Sequence, residues 1–417
     1  MKPVSPMGLP IGISFGVWTF VGFLRLMSQL FSRKKKRTLH NVSPKDIAVV
    51  VPAHNEEMII RQCIRALKVV VDKKQIYVVS DGSVDKTFRR ARLEGCHVSN
   101  LTPGKGKAKA LKHLFTTYKL FKRYKFIFIV DADTNMDPAC LTHALPLFAD
   151  KKVGVVFASS QIKWKHHLIP TLGYYFICYR DRLNRMLQYC FVYGQTWKYT
   201  NVNYVIPGFA TIYRSNILKQ LEIDTPGLLI EDFNLAFQFH KKKLGLIGYS
   251  PSMIGWDQYP TNLPDYWKQV KRWNIGFFQT VRKNGIWPSM FWLALGVFST
   301  EVILNSLFIL FLPLFFLSYL APHVNNIFLQ QLFTFFGSNL LYSHITFRDI
   351  IIGVFLIDYC MSIIIGVVNK KPEYLFYGVF FIFMHYITSL ILISSLIPGL
   401  FQSSNGRWVS PTRLKSD

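Results

Sequence analysis

Two hydrophobic rhythms divide the chain. Between about residues 40 and 260, short apolar runs stop abruptly at polar or turn-forming residues. IAVVV (47–51) stops at Pro52, QIYVV (75–79) at Ser80-Asp81-Gly82, FIFIV (126–130) at Asp131, and VGVVFA (153–158) is a fourth run. Continuous runs of this length predict strands of a largely parallel sheet buried on both faces. Helical periods lie between them. Over 56–70, Ile60, Cys63, Ile64 and Leu67 fall on one face, and over 107–118 Ala108, Leu111 and Phe115 do the same. Strand–helix alternation predicts an α/β domain. Ligands of such sheets bind beyond the carboxyl ends of the strands. The polar residues that end the runs should therefore gather on one rim.

The second rhythm is long and unbroken. Residues 290–321 carry one charge, Glu301; 324–347 carry none; 350–368 carry only Asp358; and 374–400 carry none. A helix rising ~1.5 Å per residue needs roughly 17–25 such residues to cross a bilayer. These segments predict three or four spans, with 324–347 the candidate for a surface segment instead. Residues 8–24 are also uncharged and are followed by Arg25 and the run RKKKR at 33–37. This pattern predicts an uncleaved anchor whose basic flank marks the cytosolic side and favours anionic lipid. Arg407, Arg413 and Lys415 favour a cytosolic tail and hence four C-terminal spans, although Lys370–Lys371 would then lie outside, against the charge rule. The expected organisation is an anchor (1–32), a catalytic domain (40–260), an interface helix (261–289), membrane helices (290–400) and a tail (401–417).

Composition adjusts this picture in two places. The 417 residues carry a formal net charge of +26. The basic residues flank the apolar spans, so lipid and nucleotide are expected as partners and nucleic acid is not. The six cysteines form no CxxC pair, which argues against zinc or a disulfide framework. A stretch at 173–191 places Phe176, Tyr179, Leu183, Leu187 and Cys190 on one face and Arg180, Arg182 and Arg185 elsewhere. It predicts an amphipathic helix lying on the membrane surface.

Candidate chemistry sits where the strands end. Asp131 and Asp133 alternate along extended chain, so they point the same way and can share one hard cation. Asp81 and Asp85 follow a second strand, and Glu231 and Asp232 open an apolar-periodic segment. On a helix, Gln269, Arg272 and Trp273 are i, i+3 and i+4 and share a face. Each feature alone also has a plain structural use, as a turn, a helix-start charge or an aromatic interface anchor.

Taken in order, PAHNEE, DGSVDKT, GKAKAL, DADT, PGFATIYR, IED and WDQYPTNLPDYWKQVKRW, followed by the spans, resemble the membrane-embedded processive family 2 glycosyltransferases. That family includes the poly-N-acetylglucosamine, hyaluronan, chitin and cellulose synthases. The tail GRWVSPTR (406–413) resembles the poly-N-acetylglucosamine group. The resemblance implies an α/β GT-A-type (Rossmann-like) catalytic domain inserted between N- and C-terminal membrane helices, with that domain cytosolic in a multi-pass plasma-membrane protein. It implies a UDP-sugar donor, a growing polysaccharide acceptor, Mg²⁺ or Mn²⁺, contact with membrane lipids, and room for an accessory membrane subunit. It assigns donor binding to Pro52, Ala53, His54, Glu56, Asp81 and Lys107. Asp133 becomes the metal ligand, with Asp131 supporting metal or ribose, and Asp232 becomes the general base, with Glu231 beside it. Gly208, Trp256, Gln269, Arg272 and Trp273 become further substrate contacts.

The chain also departs from the family pattern. His54 stands where tyrosine is usual, Ile230 replaces the threonine of TED, PGF (207–209) replaces SGA, and Asp257 alters the surroundings of Trp256. The physical chemistry agrees with the resemblance. A cation plus Arg272 neutralises a leaving diphosphate, and one carboxylate base without a second implies single displacement with inversion. Trp273 offers a flat apolar face to a sugar. The competing readings are a transferase adding one sugar to a lipid, and a channel or lipid-binding scaffold without catalysis.

Overall fold

The computed structural model describes residues 42–162, 171–190, 198, 200–320, 323–337, 347–404 and 406, with isolated helical positions 17, 20, 21, 24 and 27. The rest of the expected anchor, the basic run at 33–37 and the tail beyond Gly406 lie outside the described residues. The strands are β1 (Ile47–Ala53), β2 (Ile76–Asp81), β3 (His97–Leu101), β4 (Phe126–Val130), β5 (Asn135–Met136), β6 (Val153–Ile162), β7 (Ala210–Arg214) and β8 (Leu246–Asp257). They form one sheet in the order β3-β2-β1-β4-β7-β6-β8-β5. β3, β2, β1 and β4 pair in parallel, and β6 pairs in parallel with β8. Only β7 and the short β5 run against their neighbours.

All four expected strands form and run in one direction, so their carboxyl ends share a rim. Every residue of β1, β2 and β4 is buried, as expected for strands covered on both faces. Helix α1 (Ile60–Val70) buries the four residues its period marked, Ile60, Cys63, Ile64 and Leu67. Helix α2 (Lys107–Thr117) is rotated from its expected face. It buries Ala110, Leu111, Leu114 and Phe115, and Ala108 instead lines a cavity.

Two further helices lie within the domain, α3 (Thr171–Cys190) and α4 (Glu231–Lys241); after its last strand come α5 (Leu263–Asn284), α6 (Met290–Leu320), α7 (Ile327–Gly337), α8 (Arg348–Asn369), α9 (Glu373–Gly378) and α10 (Phe381–Phe401). Among the described residues three helices are long and apolar enough to cross a membrane: α6 over Met290–Leu314, α8 and α10. The segment 324–347 does not supply a fourth span among them. Its described helix α7 has 11 residues, about half the length a bilayer requires at ~1.5 Å per residue.

Helix α3 departs from the surface-lying amphipathic helix. Phe176 and Tyr179 pack with Tyr266, Tyr374 and Phe381, but the opposite face is buried as well. Arg182 is 2% exposed. Its Nη1 lies 2.8 Å from Asp358 Oδ2 of α8 and donates to Ser362 Oγ at 3.0 Å. His385 of α10 joins the same cluster, 3.0 Å from Asp358 Oδ1. Asp181 accepts from Tyr374 of α9 and pairs with Arg185. A buried arginine needs a charged and hydrogen-bonded partner. Here the long apolar helices α8 and α10 supply it, so α3 is clamped to them. Helix α5 starts at an Asn262 cap, whose side chain accepts from Asp265 N at 2.9 Å. It packs on α10 where Gly399 faces Phe278. The five described cysteines are free.

Candidate active site

The rim is built by lacing two loops together. After β1, Asn55 N donates to Ser83 Oγ at 3.1 Å, Glu56 N to Thr87 Oγ1 at 2.8 Å, and Glu57 N to Asp85 Oδ2 at 3.0 Å. Asp85 Oδ1 also accepts from Thr87 N at 2.9 Å, so Asp85 is a tie between loops. Asp81 has a similar task. Its two carboxylate oxygens accept from the backbone N–H groups of Lys105 and Gly106, both at 2.7 Å. His54 Nδ1 sits 2.6 Å from the Asp81 carbonyl oxygen. Gly82 (φ +67°) completes the turn, where an added Cβ would stand 2.5 Å from Gly104 N. Asp81 thereby fixes the start of α2, and α2 begins with Lys107.

Lys107 is the hub. Its Nζ lies 2.9 Å from Asp131 Oδ1 at the end of β4 and 3.0 Å from Glu231 Oε1 at the start of α4. Burial alone would lower the lysine's pKa, but Asp131, Glu231 and Asp232 outweigh it and keep the lysine charged. Burial would likewise raise Glu231, but Lys107 and then Arg272 hold its carboxyl below the usual range. Asp232, the next residue, has the opposite fate. Burial, then the neighbouring Glu231 charge, push its carboxyl up to about 7. Its Oδ2 accepts from Gly208 N at 3.0 Å, while Oδ1 is buried without a hydrogen-bond partner among the described residues. Gly208 is required by close approach, since a Cβ there would stand 2.5 Å from Asp232 Oδ1 and 2.7 Å from Lys107 Nζ.

Asp131 and Asp133 lie close together, but not as alternating positions of extended chain: β4 ends at Val130, and Thr134 N donates to the Asp131 carbonyl at 3.0 Å, so a turn carries them. A third carboxylate lies near them. Asp257 at the end of β8 accepts from Thr134 Oγ1 at 2.8 Å. Burial, then the Asp133 charge, push Asp257 up to about 8. Burial also pushes Asp131 up, against Lys107. Such crowding of carboxylates is relieved by a cation, and the oxygen donor set fits Mg²⁺ or Mn²⁺ completed by phosphate oxygens. Among the described residues no cluster of three or more His, Cys, Asp or Glu forms a metal cage of its own. Two carboxylates plus substrate ligands is the arrangement consistent with that.

A cavity of about 580 Å³ connects these groups. Pro52, Glu56, Lys107, Asp131, Asp133, Gly208, Glu231, Asp232, Gln269, Arg272 and Trp273 all line it. Ala53, His54 and Asp81 lie on the rim outside its wall. Trp256 is the misplaced assignment. Along β8, Gly255 faces Phe209 and Thr134 and Asp257 reaches Thr134, so Trp256 points to the other face of the strand and is not in the wall. Ile230 packs on Gly276, where a Cβ would sit 3.0 Å from the isoleucine. The residue replacing the threonine of TED thus seats the Glu231–Asp232 pair against α5, one turn beyond Arg272. Sequence reasoning missed Asp257 as a member of the acidic group and Arg180 as a wall residue. Asp257 had a signal, being a departure from the family pattern beside Trp256. Arg180 had none, because its partners are about 80 and 90 positions away.

The wall continues onto the apolar helices α6 and α10 through Phe298, Ser299, Val302, Ile303, Ser306, Thr388 and Leu392. Gly406 reaches it too, with its carbonyl oxygen 2.9 Å from where a Cβ of Gly106 would be. The tail therefore begins at the cavity.

Residues 44–276 match the family described as "Glycosyltransferase like family 2". A probable glycosyltransferase, YdaM, of Bacillus subtilis (strain 168) is 28% identical over 272 residues, covering 61% of this chain and 60% of that protein. The poly-beta-1,6-N-acetyl-D-glucosamine synthase of Staphylococcus aureus (strain COL) is 24% identical over 263 residues, covering 61% of this chain and 60% of that protein. The matched region thus spans about three-fifths of these relatives' length. Among solved structures, the mannosyltransferase PcManGT of Pyrobaculum calidifontis, in complex with GDP-Man and Mn²⁺, superposes with a TM-score of 0.54 at 14% identity. It covers 92% of this chain and 96% of its own. The catalytic domain has the GT-A-type α/β fold, with three apolar helices C-terminal to it.

Proposed function

We propose, for a chain that belongs to glycosyltransferase family 2, that it transfers N-acetylglucosamine from UDP-N-acetylglucosamine to the end of a growing β-linked polysaccharide, with inversion, and passes the polymer into the membrane. The observation that carries this reading is the single cavity running from Asp232 and Asp133 to the walls of α6 and α10. A transferase with a wholly soluble acceptor has no use for a reaction chamber opening onto its membrane helices. The S. aureus relative's name supports the choice of sugar.

The residues present perform the remaining tasks. Asp232 takes the proton of the attacking hydroxyl through Oδ1, which no donor among the described residues occupies. Its raised pKa makes it a better proton acceptor than an ordinary carboxylate, while leaving it largely ionised above neutrality. Glu231 stays ionised and, with Asp131, holds Lys107 in place. Arg272 and Lys107 present cations to the departing diphosphate. Asp133, with Asp131, would hold Mg²⁺ or Mn²⁺, whose part is to neutralise that diphosphate. The protein sits in a bilayer as a multi-pass protein with the catalytic rim cytosolic, where UDP-sugars are made; the three long apolar helices support this reading.

The test is UDP release by the purified protein over a panel of UDP-sugars with Mg²⁺ or Mn²⁺. Preference for UDP-N-acetylglucosamine supports the reading. Preference for another sugar removes the donor assignment, and a single sugar delivered to lipid replaces the polymerase with a lipid transferase.

A further inference from the structure

Helix α3 carries three arginines toward buried surroundings, and two of them are paired. Arg182 is held by Asp358 and Ser362, and Arg185 by Asp181. Arg180 has no such partner among the described residues. It makes no ion pair or hydrogen bond there, and its Nε is buried with no acceptor. Its guanidinium is instead stacked on aromatic rings. Cζ stands 4.5 Å from the centre of the Trp273 ring and 5.6 Å from that of Tyr259. Tyr259 is itself locked, its hydroxyl lying 2.8 Å from Ser160 Oγ and 3.2 Å from Asn184 Nδ2.

Stacking fixes the plane of a guanidinium and leaves its edge of N–H donors to another group. Arg180, Tyr259 and Trp273 all line the cavity that contains Asp232. The residue before Arg180 indicates which wall this is. Tyr179 hydroxyl lies 3.2 Å from Thr388 Oγ1 of α10, and Thr388 lines the cavity as well. Arg180 thus stands on the side leading to the membrane helices, whereas Lys107, Asp131 and Asp133 form the strand rim. The buried Nε has no acceptor, and the terminal N–H groups face the cavity, where a ligand's acceptors can replace water.

We infer that Arg180 is an acceptor-binding residue. Its guanidinium, held flat against Trp273 and Tyr259, donates to hydroxyl or acetamido oxygens of the sugar whose hydroxyl attacks the donor. This also revises the expected use of Trp273, because one face of its ring is already covered by Arg180. The inference rests on the polymerising reading proposed above.

The test compares full-length wild type with Arg180→Ala and Arg180→Lys. Each is given UDP-N-acetylglucosamine, Mn²⁺ and a short N-acetylglucosamine oligomer. In Arg180→Ala the KM for the oligomer rises by about tenfold or more, as expected for losing a charged donor, and the product shortens. Hydrolysis of the donor without oligomer falls by much less than oligomer transfer does, because Arg180 contacts the acceptor side of the cavity. Arg180→Lys keeps the charge without the planar fork and also raises the oligomer KM. An oligomer KM unchanged in both variants overturns the assignment. Equal loss of hydrolysis and transfer in both variants overturns it too, since that pattern belongs to a structural prop. Wild type that elongates no oligomer refutes the reading beneath it, and the assignment of Arg180 with it. Wild-type elongation with unaffected variants refutes Arg180 alone.

Discussion

Asp232 and Glu231 are adjacent, share one lysine, and are driven apart in acidity. Asp232 is pushed up to about 7, by burial and by Glu231, and Glu231 is held low by Lys107. A base must be deprotonated to act, so the rate of transfer should rise with pH through about 7 and level off above it. An initial-rate profile of UDP release checks this, and a rate independent of pH between 5 and 8 would contradict the role of Asp232. Asp232→Asn removes the base without changing the shape, and should lower transfer by roughly 10³-fold or more while UDP binding persists. Gly208→Ala should act through the same atom. Its methyl group would displace Asp232 Oδ1 from 2.5 Å, lowering kcat by about 10²-fold with little effect on thermal unfolding. Much of the site was legible at this scale. DAD, ED and the QVKRW helix place their side chains by local geometry, and Asp131, Asp133, Glu231, Asp232, Gln269, Arg272 and Trp273 meet in one cavity. The structural duty of Asp81, the turning-away of Trp256, and the arrivals of Asp257 and Arg180 depend on contacts between distant segments, which no local pattern encodes.

Elements were legible in proportion to how completely they are buried. β1, β2 and β4 carry no polar face, so unbroken apolar runs mark them. β3 reads HVSNL and is an edge strand with four of five residues only partly buried or exposed, so it had no such mark. β8 is interrupted by an irregular register near Ser250–Ile254, and β5 has two residues. Helix α3 was legible as a helix but not as one buried on both sides and clamped, because Asp358 and His385 come from helices more than 170 residues later. That clamp gives a testable energy. Arg182→Ala strands Asp358 in a poorly solvated place and should cost about 3 kcal/mol, read as a lowered unfolding temperature in detergent. Arg182→Met with Asp358→Leu should recover much of the loss. A second prediction concerns Glu94, whose buried carboxylate is shared by Arg61, Arg65 and Lys68 of α1. Burial opposes it, but Lys68 and Arg61 bring its pKa down from 4.5 to about 2. A carboxylate with a lowered folded pKa stabilises fully above about 4.5 and loses that contribution as pH falls toward 2. Glu94→Gln should therefore cost roughly 1–2 kcal/mol near neutrality, discounted for its exposed arginine partners, and nothing near pH 2.

At the scale of the whole molecule, the catalytic rim and the long apolar helices are joined at three places: the Arg182 clamp, the packing of α5 on α10, and the common cavity. Gln279 of α5 ties two of these regions. Its Oε1 accepts from Leu229 N at 2.9 Å beside the ED pair, and its Nε2 donates to the Gln402 carbonyl at 3.2 Å just after α10. The Glu231–Asp232 pair, the cavity wall and the apolar helices are therefore packed as neighbours. Removal of divalent cations with a chelator should abolish turnover, with Mg²⁺ or Mn²⁺ restoring it, because Asp131, Asp133 and Asp257 otherwise crowd one another. The most direct test of the central claim is the product itself. Purified wild type and Asp232→Asn are incubated with labelled UDP-N-acetylglucosamine and Mn²⁺, and the product's length and the anomeric configuration of its new bonds are measured. The account predicts a β-linked, hexosaminidase-sensitive polymer from the wild type and none from Asp232→Asn. An α-linked product, a single transferred sugar, or polymer made equally well by Asp232→Asn would contradict it.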